Sequence, residues 1–280
     1  MKIIDTVPDF LHKYEPTIDF LRVYYSKYPE IFKEYFSGHC KDTEERHLQS
    51  INRYPEAFEY IQQVHDNIQS ILEEIVVAYQ LQYEVSFPID VNLIVGGFGS
   101  NAYTYKQIIP NITFALEKLS PEPDHLRVIV AHEFGHCAQN IISDRAGMDW
   151  STAKWTEPLI WLYREGIATN FSKQIAPGLE PSIYLSYGNN ELEWGEEFKA
   201  KQISEFKQTF LRDYEELDTR NLFFEWFSIN GGKTFGHSRL AYFLGTLFVE
   251  DYIEQHGEQE AIIAWMKPGF EEKVKGWLHE

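Results

Sequence analysis

The chain has 280 residues, 44% apolar and 16% aromatic, enough for a sizeable buried core and too apolar for extended disorder. Its formal charge of −18 is spread from end to end, with lysine and arginine scattered, which excludes the basic stripe that nucleic-acid binding requires. No stretch has the make-up of a transmembrane helix or a signal-peptide core, and the only cysteines, Cys40 and Cys137, suit reduced thiols better than a disulfide framework. These features point to the cytoplasm without membrane attachment, where the glycosylation tripeptides at Asn111 and Asn170 have no role.

From residue 5 to about 84 the pattern is helical, with breaks expected at Pro16, Pro29, the Gly38 region and Pro55. Within "FEYIQQVHDNIQSILEEIVVAYQL", Ile61, Val64, Ile68, Ile71, Leu72 and Ile75 recur at helical spacing, so this segment is a packing helix and His65 a surface or satisfied histidine. Residues 1–84 form one expected unit, an N-terminal helical region.

The character changes at "VSFPIDVNLIVGGFGSNAYTY". Val91, Leu93 and Val95 alternate with Asn92 and Ile94 and glycines follow, the pattern of a strand entering a bulge or turn. Gly96-Gly97-Phe98-Gly99 has neither the following Lys-Ser/Thr of a phosphate loop nor the spacing of a dinucleotide fingerprint, so a structural turn is the better reading. A short strand or helix start follows in "NITFALEKL". Helices dominate from there, with stops expected at Pro177-Gly178, Gly188, Gly231-Gly232, Gly257 and Pro268-Gly269. The fold class is therefore α+β, mostly helical, with a small sheet near residues 85–118.

"VIVAHEFGHC", residues 128–137, sets His132 and His136 four apart with Glu133 beside the first. Projected onto a helix at roughly 100° per residue, Leu126, Val130, Phe134, Cys137 and Ile141 fall on one side and Ile129, His132, His136 and Asn140 on another. A core face and a separate site face are thus expected, and histidines at i and i+4 can converge on one metal ion. Cys137 points away from His136 and is assigned to the core. Catalytic zinc typically takes three protein ligands, so a third comes from elsewhere in the chain. A metzincin would place glycine and a third histidine where Gln139 and Ile142 stand, which excludes that class. Downstream, "WLYREGIATNF" sets Glu165 before Gly166 in an apolar helix that starts near Thr156 or Pro158 and stops at Pro177, and a glutamate beside a glycine can approach the first helix.

His132-Glu133-Phe134-Gly135-His136 followed by Arg164-Glu165-Gly166-Ile167-Ala168 resembles the gluzincin pattern, and more narrowly the DUF2268 family of zinc-dependent proteases. "RLAYFLGTLFVEDY", with Tyr242 and Gly245, is similar to a segment of that family, and the likeness spans roughly residues 90–255. The resemblance implies that residues 85–280 form a zincin-like metallopeptidase domain with its small sheet beside the HExxH helix. It also implies zinc held by His132, His136 and Glu165, a peptide or protein substrate, and Glu133 as general base. Glu157 is the rival third ligand, since the interval from His136 to Glu165 exceeds that of thermolysin-like gluzincins; Glu157, however, stands at a helix start, which favours acids for dipole reasons alone. By the same resemblance Tyr242 is the first candidate to stabilise the oxyanion; His237 is the second, since a protonatable imidazole five residues earlier could serve instead. Thr169 stands where some gluzincins carry an acidic residue that orients a ligand.

The strand "VNLIVGG" is expected along the cleft, since an edge strand of zincins pairs with extended substrate, and Gly96 and Gly97 would let that substrate approach. A bulge without ligand role accounts for both glycines too. The leading function is an endopeptidase or oligopeptidase. An aminopeptidase is the nearest alternative, and a zinc-stabilised binding protein or a partner-regulated module are the others. Glu133 counts against the binding protein, because a structural zinc site has no use for a base.

Overall fold

The computed structural model describes residues 1–187 and 200–280; the break expected at Gly188 lies outside them. Two units are distinguishable, residues 1–133 and residues 134–280. The division falls inside one continuous helix, Pro123–Arg145, the one that carries the HExxH motif.

In the first unit the order is β1 (Lys2–Asp5), α1 (Val7–Lys13), α2 (Ile18–Lys27), α3 (Pro29–Gly38), α4 (Glu44–Tyr83), β2 (Asp90–Ile94), β3 (Ala102–Thr104) and β4 (Ile112–Ala115), then a 3₁₀ turn (Leu116–Lys118) and the start of α5 (Pro123–Arg145). Helix α4 begins where Thr43, in extended conformation, accepts a hydrogen bond from Arg46 N, with Glu44 and Glu45 in the first turn where the helix dipole favours acids. It ends at Glu84, which adopts the left-handed conformation. The expected apolar stripe, Ile61 to Ile75, is buried, and His65 is satisfied by Asp5 at 2.7 Å.

Pro55 does not break this helix, contrary to expectation. Proline lacks the N–H that would bond the carbonyl of Ile51, and that carbonyl accepts instead from the Tyr14 hydroxyl at 3.3 Å. The Tyr14 ring is held for this among Phe10, Phe20, Tyr54 and Phe58, with centroids 5.0 to 5.6 Å away. Tyr14→Phe should therefore destabilise the protein by about 1 kcal/mol in urea unfolding. An unchanged midpoint would show that the Ile51 carbonyl needs no partner.

The sheet order is β1-β2-β4-β3, with β1, β2 and β4 parallel and β3 antiparallel to β4. The N-terminal strand β1 has no counterpart in the sequence reading, and its pairing changes the role of β2. Flanked by β1 and β4, β2 is an interior strand whose backbone groups are taken on both sides, so it is not an edge on which substrate can add. Its polar member Asn92 is buried too, donating to Thr113 Oγ1 and the Tyr105 hydroxyl, each at 3.1 Å.

The second unit contains the rest of α5, a 3₁₀ turn (Trp150–Thr152), α6 (Pro158–Ile175), α7 (Pro181–Ser186), α8 (Ala200–Glu216), α9 (Thr219–Trp226), α10 (Leu240–His256), α11 (Glu258–Ile263) and α12 (Phe270–His279). Three of the expected stops hold: α6 ends before Pro177, α10 ends at Gly257 and α12 starts after Gly269, both glycines having positive φ, whereas α9 ends at Trp226, ahead of the stop expected at Gly231-Gly232.

Helices α6 and α10 are apolar around most of their circumference and cross at two glycines. A Cβ added at Gly166 would lie 2.1 Å from the carbonyl oxygen of Gly245, and one at Gly245 would lie 2.1 Å from that of Leu162. Gly166 thus serves the crossing with α10, where the sequence reading had it admit Glu165 to the HExxH helix. Since either methyl would meet backbone, Gly166→Ala should cost about 3 kcal/mol of unfolding free energy. An unchanged urea midpoint would contradict so close a crossing. Among the described residues no helix is long and apolar enough to cross a membrane.

Candidate metal centre

Between Val128 and Ile141 helix α5 is buried around its whole circumference, not on one face. The residues of the expected core face are enclosed, and so are those of the site face: His132 is 2% exposed, Glu133 7% and His136 9%. Burial of this kind requires polar anchoring. In the first unit the Tyr79 hydroxyl, from α4, donates to the Ala131 carbonyl at 2.7 Å, one residue before His132. In the second, Gln139 donates to the Ile262 carbonyl at 3.3 Å and Trp265 Nε1 to Ser143 Oγ at 2.9 Å. The motif therefore stands on a helix pinned at both ends of the site.

Glu165 comes from the second turn of α6, with Oε2 3.5 Å from His136 Nε2. His132, His136 and Glu165 each offer a ligand atom, all within 4.8 Å of one another, and they are the one such group among the described residues. Two imidazoles and a carboxylate suit zinc and neighbouring divalent ions. The rival, Glu157, is outside the group. It is the N-cap of α6, its carboxylate accepting from Leu159 N at 3.2 Å. Cys137 is outside it as well, wholly buried.

Glu133 is buried next to His132 on α5. Tyr242 lies half-buried in the first turn of α10, beneath the Arg239 guanidinium at 4.8 Å, and three residues before the Gly245 crossing. His237, also half-buried, precedes α10, and its carbonyl packs against Gly232. Thr169, one turn beyond Glu165, is fully buried, and its Oγ1 makes no hydrogen bond among the described residues.

Gly96 and Gly97 belong to a turn built inward. Gly96 N and Phe98 N donate to the two carboxylate oxygens of Glu117 at 2.8 and 3.0 Å, and Gly97 N and Gly99 N donate to the Tyr35 hydroxyl at 2.9 and 3.0 Å. The Gly96 carbonyl accepts from the Tyr54 hydroxyl at 2.6 Å. Burial pushes the Glu117 carboxyl above the usual carboxylate range, opposed by the amides it accepts from. With these backbone groups engaged, and a Cβ on Gly96 falling 2.5 Å from the Tyr35 oxygen, interior packing accounts for both glycines.

Sequence reasoning gave no role to Arg164, nor to the polar pair Gln139 and Asn140. Arg164 Nη2 donates to Asn140 Oδ1 at 3.1 Å and its Nε to Gln139 Oε1 at 3.4 Å. The signal in the sequence was Asn140 one turn after His136, on the same helical face.

A helix presenting two buried histidines, met by a carboxylate from a second buried helix, defines a protein able to hold a divalent metal ion. The chain belongs to the DUF5700 family, whose model matches residues 11–270 and is described as "Putative zinc dependent peptidase". No curated protein and no solved structure matches it. The family match supports the zinc-peptidase reading and takes in the N-terminal helices, while the narrower likeness to DUF2268 is not carried by it.

Proposed function

We propose that this protein is a zinc-dependent peptidase of gluzincin type that hydrolyses internal peptide bonds. The observation that carries the reading is the grouping of Glu165 with the two HExxH histidines. When bound, zinc polarises the scissile carbonyl and lowers the pKa of a water molecule to about 7. His132 and His136, fixed one turn apart on α5, and Glu165, fixed by α6, would hold the ion. Glu133 takes the proton of the attacking water and delivers it to the leaving amine, so that its carboxylate is regenerated at the end of each turnover. Its burial limits competing hydration of that carboxylate.

Tyr242 is the proposed donor to the developing oxyanion, on resemblance and on its place in the first turn of α10, with His237 the alternative as a protonatable imidazole just before that helix. The peptide substrate follows from the family. Two free thiols, Cys40 and Cys137, support a reducing compartment such as the cytoplasm.

The test is reversible metal removal. Cleavage of a mixture of internally quenched peptides should disappear after chelation and return with one equivalent of zinc. Cleavage that survives in metal-free protein would exclude the mechanism.

A further inference from the structure

We propose that Arg164 is a positioning residue that sets the place of Glu165 relative to His136; the inference rests on reading these two as zinc ligands. The guanidinium sits in a corner of two indoles, its carbon 5.2 Å from the Trp155 ring and 4.9 Å from the Trp265 ring, which themselves meet edge-on at 5.8 Å. Trp150 stacks on Trp155 at 5.6 Å and completes the wall. Two of these indoles are tied to the last turns of α5: Trp265 donates to Ser143 Oγ and Trp150 donates to Asp144 Oδ1, the latter at 2.8 Å. The Arg164 fork reaches the same helix directly, at Gln139 and Asn140.

Consecutive residues on a helix point about 100° apart, so Arg164 does not share the direction of Glu165 and is not a ligand. Its effect is mechanical. A cation held in the corner formed by two indole rings, with two of its N–H groups directed at side chains of α5, fixes this stretch of α6 against α5. Asn140 is one turn beyond His136 and Arg164 adjoins Glu165, so the bond between Asn140 and Arg164 lies beside the 3.5 Å approach of His136 to Glu165. Loosening that bond releases the local contact between α5 and α6 and lets the Glu165 carboxylate shift away from the histidine.

The experiment uses the full chain and compares wild type with Arg164→Met, Arg164→Lys and Tyr163→Phe. Zinc affinity is read by competition with a chromophoric chelator, the ligand field by the visible spectrum of the cobalt-substituted protein, and stability by urea unfolding of the metal-free form. Tyr163→Phe is the control for packing and for the Gln139 end of the fork: it removes donation to the Ala261 and Ile262 carbonyls, at 2.5 and 2.9 Å, together with the hydrogen bond to Gln139, and leaves the bond from Arg164 to Asn140 in place. Arg164→Met should weaken zinc binding by about 10- to 100-fold and alter the cobalt spectrum. Tyr163→Phe should lower stability and leave both metal readouts in place. Arg164→Lys, which keeps a cation against the indoles but loses the fork, should show about a tenfold loss and carries the test if the methionine variant does not fold. Wild-type affinity and spectrum in the arginine variants would overturn the proposal, as would an equal loss of affinity in Tyr163→Phe. Failure of the wild type to bind one zinc would instead remove the metal reading beneath it.

Discussion

Glu133→Gln should retain one zinc per chain while peptide hydrolysis falls by about 10²- to 10⁴-fold. The substitution is nearly isosteric, so the buried position beside His132 remains filled, and neither the histidines nor Glu165 is touched. The amide has no basic site to receive the proton of an attacking water. Metal analysis alongside turnover on the same sample separates the two effects. Undiminished turnover would remove Glu133 as the base, and loss of zinc would show that it supports the ligands instead.

Glu165→Ala should leave a protein that no longer holds zinc through dialysis, because two imidazoles alone make an incomplete site. Glu157→Ala should keep the zinc and lose about 1 kcal/mol of stability, the cost of removing the cap that accepts from Leu159 N. Metal content and urea unfolding measured on both variants test the pair together. The reverse pattern would move the third ligand to the start of α6.

The legibility of this protein follows the range of the interactions. His132 and His136 were readable because their relation is set by one helical turn, a local rule that holds whatever surrounds them. Glu165 was readable as a glutamate within an apolar helix, and the long interval before it is taken up by the last turns of α5 and the 3₁₀ turn at Trp150–Thr152. The stops at Gly257 and Gly269 were readable because positive φ is a local demand.

What escaped depends on partners far along the chain. Pro55 was read as a break because the sequence does not show that Tyr14 would take over the carbonyl of Ile51, 37 residues further along the chain. Strand β1 offers only two consecutive isoleucines as a signal and is a strand because β2 pairs with it, and the interior place of β2 follows from the same pairing. Gly166 was seen as a feature of the metal site, whereas it answers to Gly245 on α10. The amphipathic division of α5 failed for a related reason. A helix enclosed on every side places its polar residues by specific hydrogen bonds rather than by exposure to water, so its two faces differ in chemistry and not in burial.

The proposed function is zinc-dependent cleavage of internal peptide bonds at the site of His132, His136 and Glu165. Its most direct test is mass spectrometry of an end-blocked peptide library incubated with zinc-loaded wild type and, in parallel, with Glu133→Gln. Internal cuts made by the wild type alone are the predicted result. Cuts made equally by both proteins, or none by a wild type confirmed to hold one zinc, would contradict it.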